Sequence, residues 1–254
     1  VIALVVRGDK LPGRDTLTTG HLAPATDPKG TMVFTLVVAV VAIVALQLVG
    51  SDERAAIIVS SIAVVTALSV VVLTGLVGQI SLATYALAGT AGFAMVRVAD
   101  GLGLGFPFAP LVGVAAAVAV GVVTGVPAVR VRGLTLAVTT IAASVAVEEL
   151  LFRWTWFTGG STGARPRSPS LFGIDLGISA AGSAYPRATF GVFTIVVMVA
   201  AMAVVVNLRR GATGRRWLAV RANERAAAAA GIPVAQVKVT AAAVSAALAG
   251  TAGV

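Results

Sequence analysis

Of 254 residues, 58% are hydrophobic and only 11% charged, and a mean hydropathy of +0.99 lies outside the range of soluble domains. The absence of cysteine excludes disulfides and cysteine-ligated metal centres. A net charge of +9 would suit nucleic acid, but the cations are spread over membrane-flanking segments instead of gathering on one polar face, so anionic lipid accounts for them.

In chain order, Val1–Val6 reads as the last turns of a membrane helix, without a signal-peptide start. A basic exit (Arg7, Lys10, Arg14) and a Pro/Gly/Thr/Asp-rich stretch run to Gly30. Residues 1–30 are therefore expected to be the end of a preceding segment plus a cytoplasmic linker, in which His21 is solvated. Residues 31–254 are expected to form a transmembrane domain cut short at its C-terminus. A bilayer crossing needs about 20 apolar residues. Six runs qualify: Met32–Val49, Ala55–Leu73, Ile80–Val98, Phe108–Val126, Leu134–Phe152 and Thr189–Val206. A seventh starts near Gln236 and is incomplete, because Ala241–Val254 is too short to finish a span. The fold class is all-α, a polytopic bundle of about six complete spans plus a truncated seventh.

Alternating these spans with the N-terminal linker inside puts 13 of the 19 basic residues on the inner side and 6 on the outer, with 4 and 6 of the 10 acids. The outer face is then neutral and the inner face carries the whole +9, as the positive-inside rule requires.

Four polar segments interrupt the apolar runs. The first, Thr74–Gly92, holds Gly75, Gly78, Gln79 and Ser81. It predicts a helix break at membrane depth, tolerated where protein or a water-filled cavity satisfies the backbone. Gly89 and Gly92 allow close helix packing. Gly78, Gln79 and Ser81 are candidates for a translocation path. The second follows Arg130, Arg132 and Gly133 and offers hydroxyls at helical spacing: Thr135, Thr139, Thr140 and Ser144. These suit helix–helix hydrogen bonds, and Thr139, Thr140 and Ser144 are further path candidates. Glu148 and Glu149 lie toward the outer end, where solvation or pairing with Arg153 is the ordinary outcome and a buried acid would be functional.

The third segment is a long outer loop from Trp154 to Pro186, with an aromatic belt (Trp154, Trp156, Phe157) and the cluster Thr158, Gly159, Gly160 and Gly163. At more than 30 residues it exceeds a mere connection. The fourth, Gly214 to Pro233, is a basic, alanine-rich stretch between two spans. It predicts one helix lying on the cytoplasmic face, closed by a left-handed cap at Gly231 and stopped by Pro233. Arg221 and Glu224, three apart, then share one face.

The ordered residues Gly214, Arg215, Leu218, Ala219, Arg221, Glu224, Ala226, Ala227, Gly231 and Ile232 resemble the coupling helix of branched-chain (hydrophobic) amino acid ABC importer permeases. Thr158-Gly-Gly160 with Gly163 is similar to that family's Thr-Gly-Gly-x-x-Gly. Gly78-Gln-Ile-Ser81 is similar to its Gly-Gln-x-Ser, although Ala83 and Thr84 replace the usual Gly and His. The Gly-Glu pair usual near the middle of the fifth span is absent; Ser144 and Val145 stand there. The resemblance implies a bacterial inner-membrane transport subunit, not an enzyme, paired with a second permease half, two cytoplasmic ATPases and an extracytoplasmic solute-binding protein. Gly214, Arg215, Arg221, Glu224 and Gly231 would contact the ATPase, and Thr158, Gly159, Gly160 and Gly163 would receive the binding protein. No phosphate-binding loop of the Gly-x-x-x-x-Gly-Lys-Ser/Thr type occurs, so this chain brings no cofactor and ATP with Mg would sit on the partner ATPases. Branched-chain amino acids, other hydrophobic amino acids, and urea or short amides all suit such a path. An ion-coupled secondary transporter and a non-transporting scaffold are the alternatives.

Overall fold

The computed structural model describes residues 28–128, 134–160, 169–171, 174–179 and 185–254. The linker with His21, the pair Arg130 and Arg132 with Gly133, and the loop residues Gly163, Arg165 and Arg167 lie outside them.

Among the described residues, seven long helices form the bundle: α1 (Pro28–Leu48), α2 (Ser51–Val70), α3 (Thr84–Leu102), α4 (Phe108–Ala128), α5 (Leu134–Val147), α7 (Ala188–Arg210) and α10 (Val234–Gly253). Short helices α6 (Thr155–Thr158), α8 (Ala212–Ala222) and α9 (Glu224–Ala229) join them, and a two-residue antiparallel pair, β1 (Ser170–Leu171) and β2 (Ile174–Asp175), folds part of the long loop. α1 opens at Pro28, inside the expected linker, where proline suits a first helical turn. Both α2 and α5 widen into π-helix at their ends, Val71–Val77 and Glu148–Phe152; such widening often marks functional segments.

Among the described residues, six helices are long and apolar enough to cross a membrane: 30–48, 51–77, 108–126, 135–152, 188–210 and 234–253. Two expectations change. The last helix begins at Val234 and runs 20 residues, so it is long enough to cross. α3, expected as a span over Ile80–Val98, starts only at Thr84 and is not among the six. It nevertheless runs between the same two ends of the bundle. Its first residues follow the loop held by the basic end, whereas Arg97 donates to Phe157 O at the other (Nε···O 3.0 Å).

α10 is the hub, packing on α2, α3 and α4, while α7 packs on α2 and α1. α3, α4 and α10 approach almost to backbone contact: a Cβ at Gly121 would lie 2.4 Å from Ala246 Cβ, and one at Gly253 would lie 2.1 Å from Ala88 O. Without a hydrophobic drive between helices in lipid, such small-residue seams supply the packing. A second core, including Leu46, Val72, Ile195, Trp217 and Val220, joins α1, α2, α7 and α8.

Charge sorts by end. Among the described residues, the α8–α9 end carries Arg209, Arg210, Arg215, Arg216, Arg221, Arg225 and Lys238 against Glu224 alone. The opposite end carries Arg54, Arg97, Arg153 and Arg187 against Asp52, Glu53, Asp100, Glu148, Glu149 and Asp175. The α8–α9 end is therefore the inner one. Because the chain has no cysteine, single cysteines test this directly. In intact cells, an impermeant maleimide is expected to label Ser170→Cys and to spare Ala212→Cys, both at exposed positions. Labelling of Ala212→Cys would invert the topology.

Candidate functional site

The predicted break between the second and third spans is present. α2 ends in its π turn, Gly78 takes a left-handed conformation (φ +75°), and residues 78–83 run without helix to Thr84. The π turn holds its exit by bonds from Gly78 N and Gln79 N to Leu73 O, and Thr74 Oγ1 donates to Gln79 O (3.3 Å). The loop then reaches across to α5, where Leu82 N donates to Thr140 Oγ1 at 3.2 Å.

Between the loop, α4, α5 and α10 lies a cavity of about 40 Å³, whose polar lining is Gln79, Ser81, Thr124 and Thr140. That volume suits one or a few waters and is far too small for an amino acid. Gln79 is buried and its Nε2 has no partner among the described residues, which is costly unless water fills the role. Three of the six path candidates thus meet at one place: Gln79, Ser81 and Thr140. Gly78 sits above it as the cap. Thr139 and Ser144 do not line the cavity; their hydroxyls bond back to Thr135 O and Ile141 O, both at 2.8 Å. A helix advances about 100° per residue, so adjacent Thr139 and Thr140 face different surroundings.

At the inner end the expected single coupling helix is two. α8 stops at Ala222, Asn223 is extended (φ −161°, ψ 109°), and its Oδ1 caps α9 by accepting from Arg225 N and Ala226 N at 3.0 and 3.1 Å. Asparagine is a preferred helix N-cap. The expected shared face for Arg221 and Glu224 is therefore wrong, and each turns to a distant partner. Arg221 Nη1 donates to Gly75 O, in the π turn of α2, supplying a cation to carbonyls left open at a helix C-terminus. Its stem lies over Gly78. Glu224 pairs with Lys238 of α10 at 2.8 Å, with Lys238 only 3% exposed. Gly231 meets its expectation: φ is +80°, and bonds from Ile232 N to Ala227 O and Gly231 N to Ala228 O (both 3.0 Å) complete the left-handed helix end.

Gly214 is buried at the elbow where α8 folds back over the end of α7, and Trp217, fully buried, anchors α8 in the core. Arg215 is exposed and donates to Arg210 O (3.1 Å). Arg216 and Arg225 are exposed as well. The segment thus presents cations outward and is tied inward at three points.

At the outer end, Thr158 closes α6, donating to Trp154 O (3.4 Å), and Gly159 and Gly160 follow with φ of +87° and +63°. Arg97 clamps this turn, its guanidinium 5.9 Å from the Trp156 ring centre, and Phe93 packs on Phe152 and Phe157. Trp154 and Trp156 are exposed, as an interfacial belt would be. Glu149 pairs with Arg153 (3.1 Å) and both are exposed, the ordinary outcome for acids at an interface.

Gly78 joins two demands, its left-handed backbone and the Arg221 stem, since a Cβ there would lie 3.1 Å from Arg221 Cγ. Gly78→Ala is expected to cost about 1–2 kcal/mol from the backbone alone. The crowding part should vanish in an Arg221→Ala background, so a double-mutant cycle of unfolding in detergent should give a coupling of about 0.5 kcal/mol or more. Strict additivity would mean the two residues do not touch.

Four residues escaped the sequence reading: Thr124 in the cavity, Trp217 as anchor, Asn223 as cap and Lys238 as the buried ion-pair partner. Asn223 before Glu224 was a readable helix-start signal, and Lys238 was a lone cation entering an apolar helix. Thr124 and Trp217 carry no local signal.

A family model described as the branched-chain amino acid transport system permease component matches residues 54–254. The high-affinity branched-chain amino acid transport system permease proteins LivM of Salmonella typhimurium (strain LT2) and Escherichia coli (strain K12) are each 33% identical over 168 residues. Each match covers 59% of this chain and 39% of the relative, so the aligned part spans about two fifths of the relatives' length. No solved structure matches the chain. By the family match over residues 54–254, the chain belongs to the family of branched-chain amino acid transport permease components.

Proposed function

We propose that this chain is the membrane half of an ATP-driven, binding-protein-dependent importer of branched-chain or other hydrophobic amino acids. The observation that carries the reading is the α8–α9 segment. It presents Arg215, Arg216 and Arg225 outward for a cytoplasmic ATPase, while Trp217, Arg221 and Glu224 fasten it to the bundle beside the polar cavity. A lipid-binding helix needs the outward cations only. Coupling two sites needs a physical connection between two states, and the inward ties supply one. The family and the LivM relatives support the solute class. ATP and Mg belong to the ATPase subunits, a second permease half completes the path, and the clamped Trp154–Gly160 turn receives the loaded binding protein.

The test is uptake by the native protein carrying this chain, reconstituted in proteoliposomes with its co-purifying subunits. Radiolabelled leucine should accumulate only with ATP and binding protein, and should be insensitive to protonophores and sodium ionophores. Accumulation driven by an ion gradient without ATP would establish a secondary transporter instead.

A further inference from the structure

We infer that residues 78–83 are the inner gate of the pathway, that Thr140 latches it shut, and that Arg221 is the lever by which the coupling segment opens it; the inference rests on the importer reading above. Thr140 and Arg221 are positioning residues in this scheme, acting through the loop and not on the solute.

The loop, its bonds and its neighbours carry it. The loop is irregular backbone within a helical bundle, so its polar groups must find partners. Most of its bonds are local: Gln79 N to Leu73 O, Thr74 Oγ1 to Gln79 O, and Ala83 N to Ser81 Oγ at 3.5 Å. The bond from Leu82 N to Thr140 Oγ1 crosses instead to a helix 58 residues away. Thr140 is buried and orients its hydroxyl by donating to Ala137 O at 2.9 Å, which leaves a lone pair for Leu82.

The space behind the loop is small and partly open, with four polar side chains set in a mostly apolar lining. The cavity of about 40 Å³ excludes an amino acid, and it is lined by Gln79, whose Nε2 has no partner among the described residues. A buried donor without a partner is a feature to be explained. Displacing the loop would free Gln79 to meet a polar group passing through. The lever is the contact already described: Arg221 bonds Gly75 O and rests on Gly78, one residue before Gln79. Movement of α8 therefore reaches the loop through two adjoining contacts. The stretch of α5 that carries Thr140, Leu134–Val147, packs chiefly on α4, whereas the π end at Glu148–Phe152 meets α3 and α6.

The experiment uses the reconstituted complex with Ser81→Cys as reporter, because Ser81 lines the cavity. Labelling by a maleimide from the ATPase side is measured with and without ATP plus loaded binding protein. In the parent complex, labelling should accelerate during turnover. Thr140→Val keeps the shape and removes the acceptor; it should raise the resting rate about fivefold, the change expected for one neutral hydrogen bond. Thr140→Ser should restore the parent rate. Arg221→Gln should remove the turnover-dependent acceleration, and Arg221→Lys should restore part of it. A resting rate unmoved by Thr140→Val, or acceleration persisting in Arg221→Gln, overturns the gate. The importer reading fails separately, if the parent complex shows no response to ATP while an ion gradient drives uptake.

Discussion

Glu224→Ala is expected to destabilise the protein by about 3 kcal/mol, measured as the shift in unfolding free energy in detergent. The physical ground is the asymmetry of its ion pair. Lys238 is 3% exposed and Glu224 24%. Removing one partner of a buried pair typically costs 3–5 kcal/mol, because the other charge is left without compensation. The partial exposure of Glu224 places this pair at the lower end of that range. The reverse deletion should be milder. Lys238→Met removes the buried charge and fills the space with an apolar chain, while Glu224 can take up water; a loss of about 1 kcal/mol or less is expected. Glu224→Arg should be worse than Glu224→Ala, since it sets a second cation against Lys238. The sequence alone, with Arg221 and Glu224 on one exposed face, would have put the cost of such changes near 0.5 kcal/mol or below. Equal and small losses for Glu224→Ala and Lys238→Met would return the pair to that surface class. The same pair matters for coupling, because it joins α9 to α10, whose Ala242 lines the cavity.

The bundle was legible because its signals are periodic or compositional. Apolar run length located the membrane helices, the bias of Lys and Arg oriented them, the glycines near Gly78 announced a helix break, and Gly231 announced left-handed backbone where the structure has it. α3 blurred because its Ala, Gly and Thr residues pack closely against α4 and α10 instead of carrying the bulk that marks a lipid-facing span. The α8–α9 segment was legible in position but not in geometry. A run of alanines argues for one continuous helix, and that expectation hid the cap at Asn223. Once the helix breaks there, Arg221 and Glu224 no longer share a face. Their partners, Gly75 and Lys238, lie 146 and 14 residues away, a relation that no local pattern encodes. The hydroxyl run shows the same limit on a smaller scale. Thr139, Thr140 and Ser144 read alike in sequence, yet only Thr140 reaches the cavity.

Gly214→Ala is expected to do more damage than any other single methyl added to the α8–α9 segment. A Cβ at Gly214 would lie 2.3 Å from both Leu208 O and Arg209 O, and 2.5 Å from Arg209 C. These are backbone atoms at the end of α7, so no side chain can swing aside. The elbow must open, lifting α8 from α7. Trp217, three residues further on and fully buried, would be drawn from the core with it. Overpacking of this kind costs about 3 kcal/mol when the obstacle cannot yield, and partial exposure of an indole adds to it. Gly231→Ala is the control. It lies in the same segment with φ +80° and nothing within 4 Å of a new Cβ, so only backbone strain of about 1–2 kcal/mol applies. Unfolding in detergent should therefore rank Gly214→Ala well below Gly231→Ala in stability. Protease cleavage between residues 211 and 231 should accelerate in Gly214→Ala first. ATP-driven uptake should fall in parallel, since a lifted α8 takes Arg221 away from Gly75. A Gly214→Ala protein as stable as Gly231→Ala, with Trp217 still shielded from quenchers, would show that α8 does not rest on α7 and would undo the mechanical reading of this segment.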